Sequence, residues 1–160
     1  MRVLVFGNSG SGKSCFARRL AAEKGLCVLD LDAVVWSEAA VFRPEEEITA
    51  ELRRFVQTNT SWIVEGCYGR WMELLVPQAT EIVFMNPGET TCLNNCLARP
   101  WEAHKYSSKA EQDAKLAFLL DWVRGYYTRS DDMSLQAHKR LFDSYAGKKR
   151  EIKANEPDVS

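Results

Sequence analysis

The sequence predicts an α/β protein with a parallel sheet covered by helices on both faces. Three observations carry that prediction. Short apolar runs rich in β-branched side chains read as strands buried on both faces. Segments of helical spacing alternate with them, as the connections of a parallel sheet require. Between the first strand and the first helix lies a glycine-rich loop, Gly7-Asn8-Ser9-Gly10-Ser11-Gly12-Lys13-Ser14.

Val3-Leu4-Val5-Phe6 is the first strand, ended by Gly7. Helical spacing follows from Lys13 to Glu23, with Phe16, Leu20 and the alanines on one side and Gly25 as the stop. Cys27-Val28-Leu29 reads as a second strand leading into Asp30-Leu31-Asp32. Pro44 opens a helix whose first turn holds Glu45, Glu46 and Glu47, carboxylates that suit the positive end of the helix dipole. Ile48, Leu52, Phe55 and Val56 form its apolar stripe. Trp62-Ile63-Val64 and Glu81-Ile82-Val83-Phe84-Met85 are the third and fourth strands. Ser108 and Glu111 have the spacing of a capping box ahead of Leu116, Leu119, Leu120 and Val123. A last helix is expected from about Ser134 to Gly147, and Arg150-Glu151-Ile152-Lys153 as a short fifth strand. The final residues are polar and are expected to fray.

With 160 residues, 46% of them hydrophobic, the chain fits one domain with a real core, taken here as residues 1–160. A net charge of −1 argues against a nucleic-acid partner, whose binding face is strongly basic. No run approaches the roughly 18 apolar residues of a membrane span. The first residues lack the form of a signal peptide, so a cytoplasmic location is expected. Five cysteines at irregular spacing suit free thiols in a reducing compartment, although Cys92 and Cys96 stand one helical turn apart. Nothing here bears on oligomeric state.

The glycine-rich loop satisfies G-x-x-x-x-G-K-[ST] at every position. Glycines allow positive φ and let backbone N–H groups turn inward as an anion nest. The following helix aims its positive end at the same phosphates. Lys13 supplies a cation for the β- and γ-phosphates of ATP or GTP, and Ser14 offers a hydroxyl to Mg2+.

Asp30 and Asp32 follow at the carboxyl end of the second strand, where ligands bind in open α/β sheets. Read as an extended D-x-D, both carboxylates point the same way, with Asp30 serving the metal and Asp32 an acceptor hydroxyl. Glu65, at the end of the third strand, is a rival for the metal role. Trp36 either walls an acceptor pocket or closes the core. Gly66-Cys67-Tyr68-Gly69 reads as a flexible loop near an acceptor, with Arg70 beside it. Arg99, Arg124 and Arg129 flank a polar stretch without apolar period and are candidates to close over the triphosphate. Of the two histidines, His138 lies on an apolar helical stripe and reads as structural.

The P-loop, Leu31-Asp32-Ala33-Val34-Val35-Trp36 and Trp62-Ile63-Val64-Glu65-Gly66-Cys67-Tyr68-Gly69 together resemble bacterial DNA topology modulation proteins, which are adenylate-kinase-like P-loop proteins. Arg99-Pro100-Trp101 and the stretch from Trp122 to Arg129 fit the same pattern, and Glu65 stands where that pattern has aspartate. More distantly, Asp30-Leu31-Asp32 is similar to the D-x-D of shikimate kinases, without the arginines that grip shikimate there. The resemblance implies a nucleoside-monophosphate-kinase-like three-layer sandwich, a P-loop NTPase fold with a five-stranded parallel sheet and a lid over about residues 99–130. It also implies a phosphotransferase moving the γ-phosphoryl group of ATP to a small-molecule acceptor, a nucleotide or hydroxylated metabolite. The alternative is an NTPase acting as a regulatory switch, linked to DNA topology.

Overall fold

A computed structural model describes residues 1–156. The element order is β1 (Arg2–Gly7), α1 (Lys13–Lys24), β2 (Cys27–Asp30), α2 (Leu31–Val35), α3 (Glu45–Thr58), β3 (Trp62–Gly66), α4 (Gly69–Leu75), β4 (Glu81–Met85), α5 (Glu89–Leu97), α6 (Lys109–Gly125), α7 (Leu135–Ser144) and β5 (Lys148–Ile152). All five strands are parallel, in the order β2-β3-β1-β4-β5. The chain therefore leaves central β1 in both directions, and the crevice this opens lies at the strands' carboxyl ends.

Residues alternate across the sheet, so each apolar run feeds two cores. Leu4, Phe6, Trp62, Val64, Ile82 and Phe84 face a core shared with α2, α3, α4 and α7. Val3, Val5, Ile63, Val83 and Met85 face the other, packed by Phe16, Ala17, Leu20 and Ala21 of α1. This is the expected α/β architecture with helices on both faces. Burial explains why the inner strands read as unbroken apolar runs; each such side chain contributes roughly 1.5–3 kcal/mol. The edge strands differ: β2 and β5 are half-exposed, and β5 is largely charged.

Several boundaries depart from the sequence reading. The D-x-D is not extended. Asp30 caps α2, its Oδ1 accepting from the Asp32 N–H at 2.9 Å, so Asp32 sits in a helical first turn. α4 and α5 are helices beyond those expected from the sequence. α7 stops at Ser144, short of Gly147, and β5 begins at Lys148, two residues earlier than expected. At α6, Ser108 Oγ accepts from the Glu111 N–H, but the Glu111 carboxylate reaches the N–H of Ser107, not of Ser108. Gly66 and Gly69 both have ordinary φ: one lies in β3 and the other opens α4. What they permit is close approach, since a Cβ at Gly69 would stand 2.4 Å from the Asp132 carbonyl oxygen, and one at Gly66 2.8 Å from Leu31 Cβ. The fraying expected of the last residues concerns 157–160, outside the described residues. No helix among the described residues is long and apolar enough to cross a membrane.

Candidate phosphate and acceptor sites

The loop between β1 and α1 is folded by its glycines. Gly7, Gly10 and Gly12 have φ of 154°, 75° and 91°. Two of them also face backbone: a Cβ at Gly7 would stand 2.2 Å from the Met85 carbonyl oxygen, and one at Gly10 2.3 Å from that of Cys92. β4 and α5 thus press the loop into shape from behind. Asn8, buried, donates to the Val123 carbonyl at 3.1 Å, which ties the loop to α6. Asn95 donates to the Gly10 carbonyl at 2.8 Å and Asn155 to that of Ser11 at 2.9 Å. Sequence reasoning missed both asparagines, because no motif marks a residue that braces a loop from a distant element.

This cradle fits a polyphosphate. α1 begins without a side-chain cap or an acidic residue in its first turn, so its first N–H groups stand open to an anion. The buried Ser11 hydroxyl has no protein partner. Ser9, half-buried, belongs to the same turn. Lys13 Nζ donates to the Asn8 carbonyl at 2.8 Å, bending back over the loop.

Ser14 Oγ donates to Glu65 Oε1 at 2.6 Å. The structure therefore brings Glu65, not Asp30, to the serine expected to hold a metal. Parallel pairing explains it: Val5 of β1 aligns with Glu65 of β3, and β2 lies one strand further out. Burial pushes the carboxyl of Glu65 above its usual range, with the ammonium of Lys13 opposing. Asp30 is also raised, by burial and then by the Asp32 charge. Among the described residues no group of three or more His, Cys, Asp or Glu side chains is placed to hold a metal by itself. A divalent ion here would take oxygens from Ser14 and a bound phosphate, with Glu65 behind, as Mg2+ commonly does.

A second constellation lies beyond β2 and β3. The Trp36 indole N–H donates to Tyr68 Oη at 2.8 Å, and Tyr68 Oη donates to Asp32 Oδ1 at 2.7 Å. Indole nitrogen only donates, so it fixes the direction of the chain: the tyrosine proton must go to Asp32. Burial, then the Asp32 charge, raises the Tyr68 phenol far above its usual range, which keeps it a donor. Lys105 Nζ stands 3.5 Å from the other oxygen, Asp32 Oδ2. Burial lowers the Lys105 ammonium, but Asp32 and Glu102 more than offset this and hold it raised. Trp36 is 39% exposed and packs against Phe42 with centroids 4.0 Å apart, so it lies at the surface and not in the core. Lys105 escaped the sequence reading, being one polar residue in an aperiodic stretch.

The arginines divide. Arg99 pairs with Glu102, and Arg124 is exposed beside Asp121. Arg129 folds over the Trp122 ring at 3.6 Å and donates to the Trp122 carbonyl at 2.7 Å, bracing the α6–α7 turn. Arg70 pairs with Glu45 and lies over Trp71. Residues 99–108 form no helix or strand and are held by Gln112, which accepts from the Glu102 N–H and donates to the Pro100 carbonyl. His138 is fully buried as expected of a structural residue, bonded through Nε2 to the Cys67 carbonyl at 2.7 Å and through Nδ1 to Tyr126 Oη at 2.8 Å. Cys92 and Cys96 share the inner face of α5, and all five cysteines are free thiols.

Solved structures share this architecture. A shikimate kinase from Aquifex aeolicus superposes with a TM-score of 0.55 at 15% identity, over 98% of this chain and 88% of that one. A shikimate kinase from Bacteroides thetaiotaomicron gives 0.50 at 16% identity, over 89% and 97%. An unliganded sugar kinase from Janibacter sp. gives 0.50 at 17%, over 91% and 95%. At these identities the likeness is one of fold. No protein-family model matches the chain, and no curated protein sequence matches it either.

Proposed function

We propose that this chain transfers the γ-phosphoryl group of ATP to a hydroxyl of a small molecule. The observation that carries the reading is the pairing of two carboxylate sites across one crevice. Glu65 stands behind Ser14 on the phosphate side, and Asp32 is held by Tyr68 on the other. An NTPase needs the first; the second, with its exposed aromatic neighbours, is what a second substrate requires. The kinase names of the structural neighbours agree with it.

In this reading the loop N–H groups and Lys13 bind the triphosphate, and Ser14 with Glu65 behind it holds Mg2+. When bound, that ion neutralises charge on the β- and γ-oxygens. Asp32 Oδ2 accepts the proton of the acceptor hydroxyl as its oxygen bonds to the γ-phosphorus. The bond from that phosphorus to the β–γ bridging oxygen breaks, and its electron pair leaves on ADP. Lys105, beside Asp32, is the cation placed for charge on the transferring group, and Arg99 lies on the same segment, residues 99–108. Arg124 and Arg129 are engaged elsewhere.

Lys13→Ala tests the nucleotide site. Turnover should fall by on the order of 10²–10³, as when one preorganised donor is removed from a developing charge. ATP binding by calorimetry should weaken, and thermal unfolding should stay near wild type. Unchanged ATP affinity would overturn the reading.

A further inference from the structure

The acceptor side has a feature that the phosphate chemistry does not need. Its lysines and arginines, taken over residues 30–43, 66–72 and 99–108, are Arg43, Arg70, Arg99 and Lys105. Each already faces a carboxylate. Arg43 pairs with Glu47 and Glu51, Arg70 with Glu45, Arg99 with Glu102, and Lys105 with Asp32 and Glu102. An anionic acceptor would compete with these carboxylates for the same cations, whose charge they already offset. By contrast, the exposed large apolar side chains here are Trp36, Val41, Phe42 and Trp101, aromatic but for the valine. Trp36 and Phe42 are 39% and 54% exposed, and their rings pack at a tilt of 31°.

Aromatic faces left in water beside a hydrogen-bonded carboxylate suit a ligand with an apolar ring face and polar edges. The position is constrained further. The edge of the Trp36 indole bonds Tyr68, and Tyr68 bonds Asp32, so the aromatic surface lies two hydrogen bonds from the proton acceptor.

Resting on the kinase reading above, we propose that the acceptor is an uncharged, ring-bearing alcohol, stacked on Trp36 and Phe42 with its hydroxyl on Asp32. A nucleoside and a cyclic sugar or polyol share this chemistry. Nucleoside monophosphates and sugar acids do not.

The experiment is ADP release from ATP and Mg2+ by the full chain, with matched neutral and anionic acceptors: adenosine against AMP, uridine against UMP, glucose against gluconate, and myo-inositol against shikimate. A neutral compound should raise ADP release at least tenfold over water, with its anionic counterpart at a tenth of that or less. The nucleoside and sugar arms then tell the two sources apart. Trp36→Leu should raise the KM of the active alcohol by on the order of tenfold, as loss of a stacking face does, with the ATP KM as the control for folding. Phe42→Ala, at a more exposed position, repeats the test should Trp36→Leu fold poorly. Stimulation by an anionic member in preference to its neutral partner overturns the inference and leaves the kinase reading standing. So does an acceptor KM indifferent to both variants. Absence of stimulation by every compound overturns the inference, and the kinase reading falls with it only if Lys13→Ala also leaves ATP affinity unchanged.

Discussion

The phosphate side and the acceptor side of the crevice are built in opposite ways. On the phosphate side, one continuous octapeptide is pressed from behind by the Met85 and Cys92 carbonyls, braced by the Asn95 and Asn155 amides, and tied through its own Asn8 to the Val123 carbonyl. The acceptor side draws Asp32, Trp36, Tyr68 and Lys105 from three separate segments and leaves Trp36 and Phe42 exposed while burying Tyr68. Anion binding by backbone N–H groups needs a rigid loop and tolerates any base attached to the phosphates. Selecting one acceptor needs particular side chains, and these sit on segments whose conformation ordinary backbone allows.

Asp32→Asn probes the acceptor side most strongly. Its loss as proton acceptor should cost on the order of 10²–10⁴ in kcat, with ATP affinity by calorimetry little changed. If Asp30→Asn is the crippling change instead, the two aspartates have their roles reversed, and the capping of α2 by Asp30 has been misjudged.

His138 ties the Cys67 carbonyl, next to Tyr68, to the Tyr126 hydroxyl at the end of α6. Burial lowers its imidazole to about 4, from an ordinary 6.5. The folded state therefore binds fewer protons than the unfolded one between these values. The stability this contributes is complete above pH 6.5 and is lost as pH falls towards 4, by about 3 kcal/mol. Urea unfolding of wild type and His138→Gln across pH 7 to 4 measures it; parallel curves would contradict the neutral buried histidine.

Gly10→Ala should cost about 2–4 kcal/mol, positive φ adding to overpacking against the Cys92 carbonyl. Gly25→Ala is the control, since φ there is 67° but nothing lies within 4 Å of its Cβ. It should cost only about 1 kcal/mol, read from chemical denaturation. Equal costs at the two positions would mean that the loop is not clamped from behind.

Tyr68→Phe should have the mildest effect, a loss of about 2–10-fold in kcat, the worth of one hydrogen bond of about 0.5–1.5 kcal/mol. The ATP KM, measured in the same assay, should not move. A change in ATP KM would show the two sides to be coupled, contrary to their separate construction.

Legibility in the sequence follows the same division. Gly7 to Ser14 could be read outright, because every chemical requirement of the loop falls within eight consecutive residues and flanking elements of clear period. The inner strands were legible for a similar reason: burial on both faces leaves a local trace in composition. α4 and α5 were not, since the short loop at Cys67 and Tyr68 hides the start of α4 at Gly69, and Cys92 with Cys96 makes a stripe too short to show a period. Asp30-Leu31-Asp32 misled as an extended pair because an aspartate at a strand end serves equally well as a helix cap.

By itself, then, the sequence determined the α/β class, the strand, glycine-rich loop and helix of the proposed phosphate site, and the carboxylates at the strand ends. Only the tertiary structure decided which carboxylate meets which partner. Strand order puts β3, not β2, beside β1, and so Glu65 rather than Asp30 reaches Ser14. The meeting of Lys105 with Asp32 and of Tyr68 with Trp36 is likewise a matter of packing across 73 and 32 positions. Local periodicity and motif spacing describe neighbours along the chain, whereas these contacts exist only once the sheet has brought its distant segments to one end.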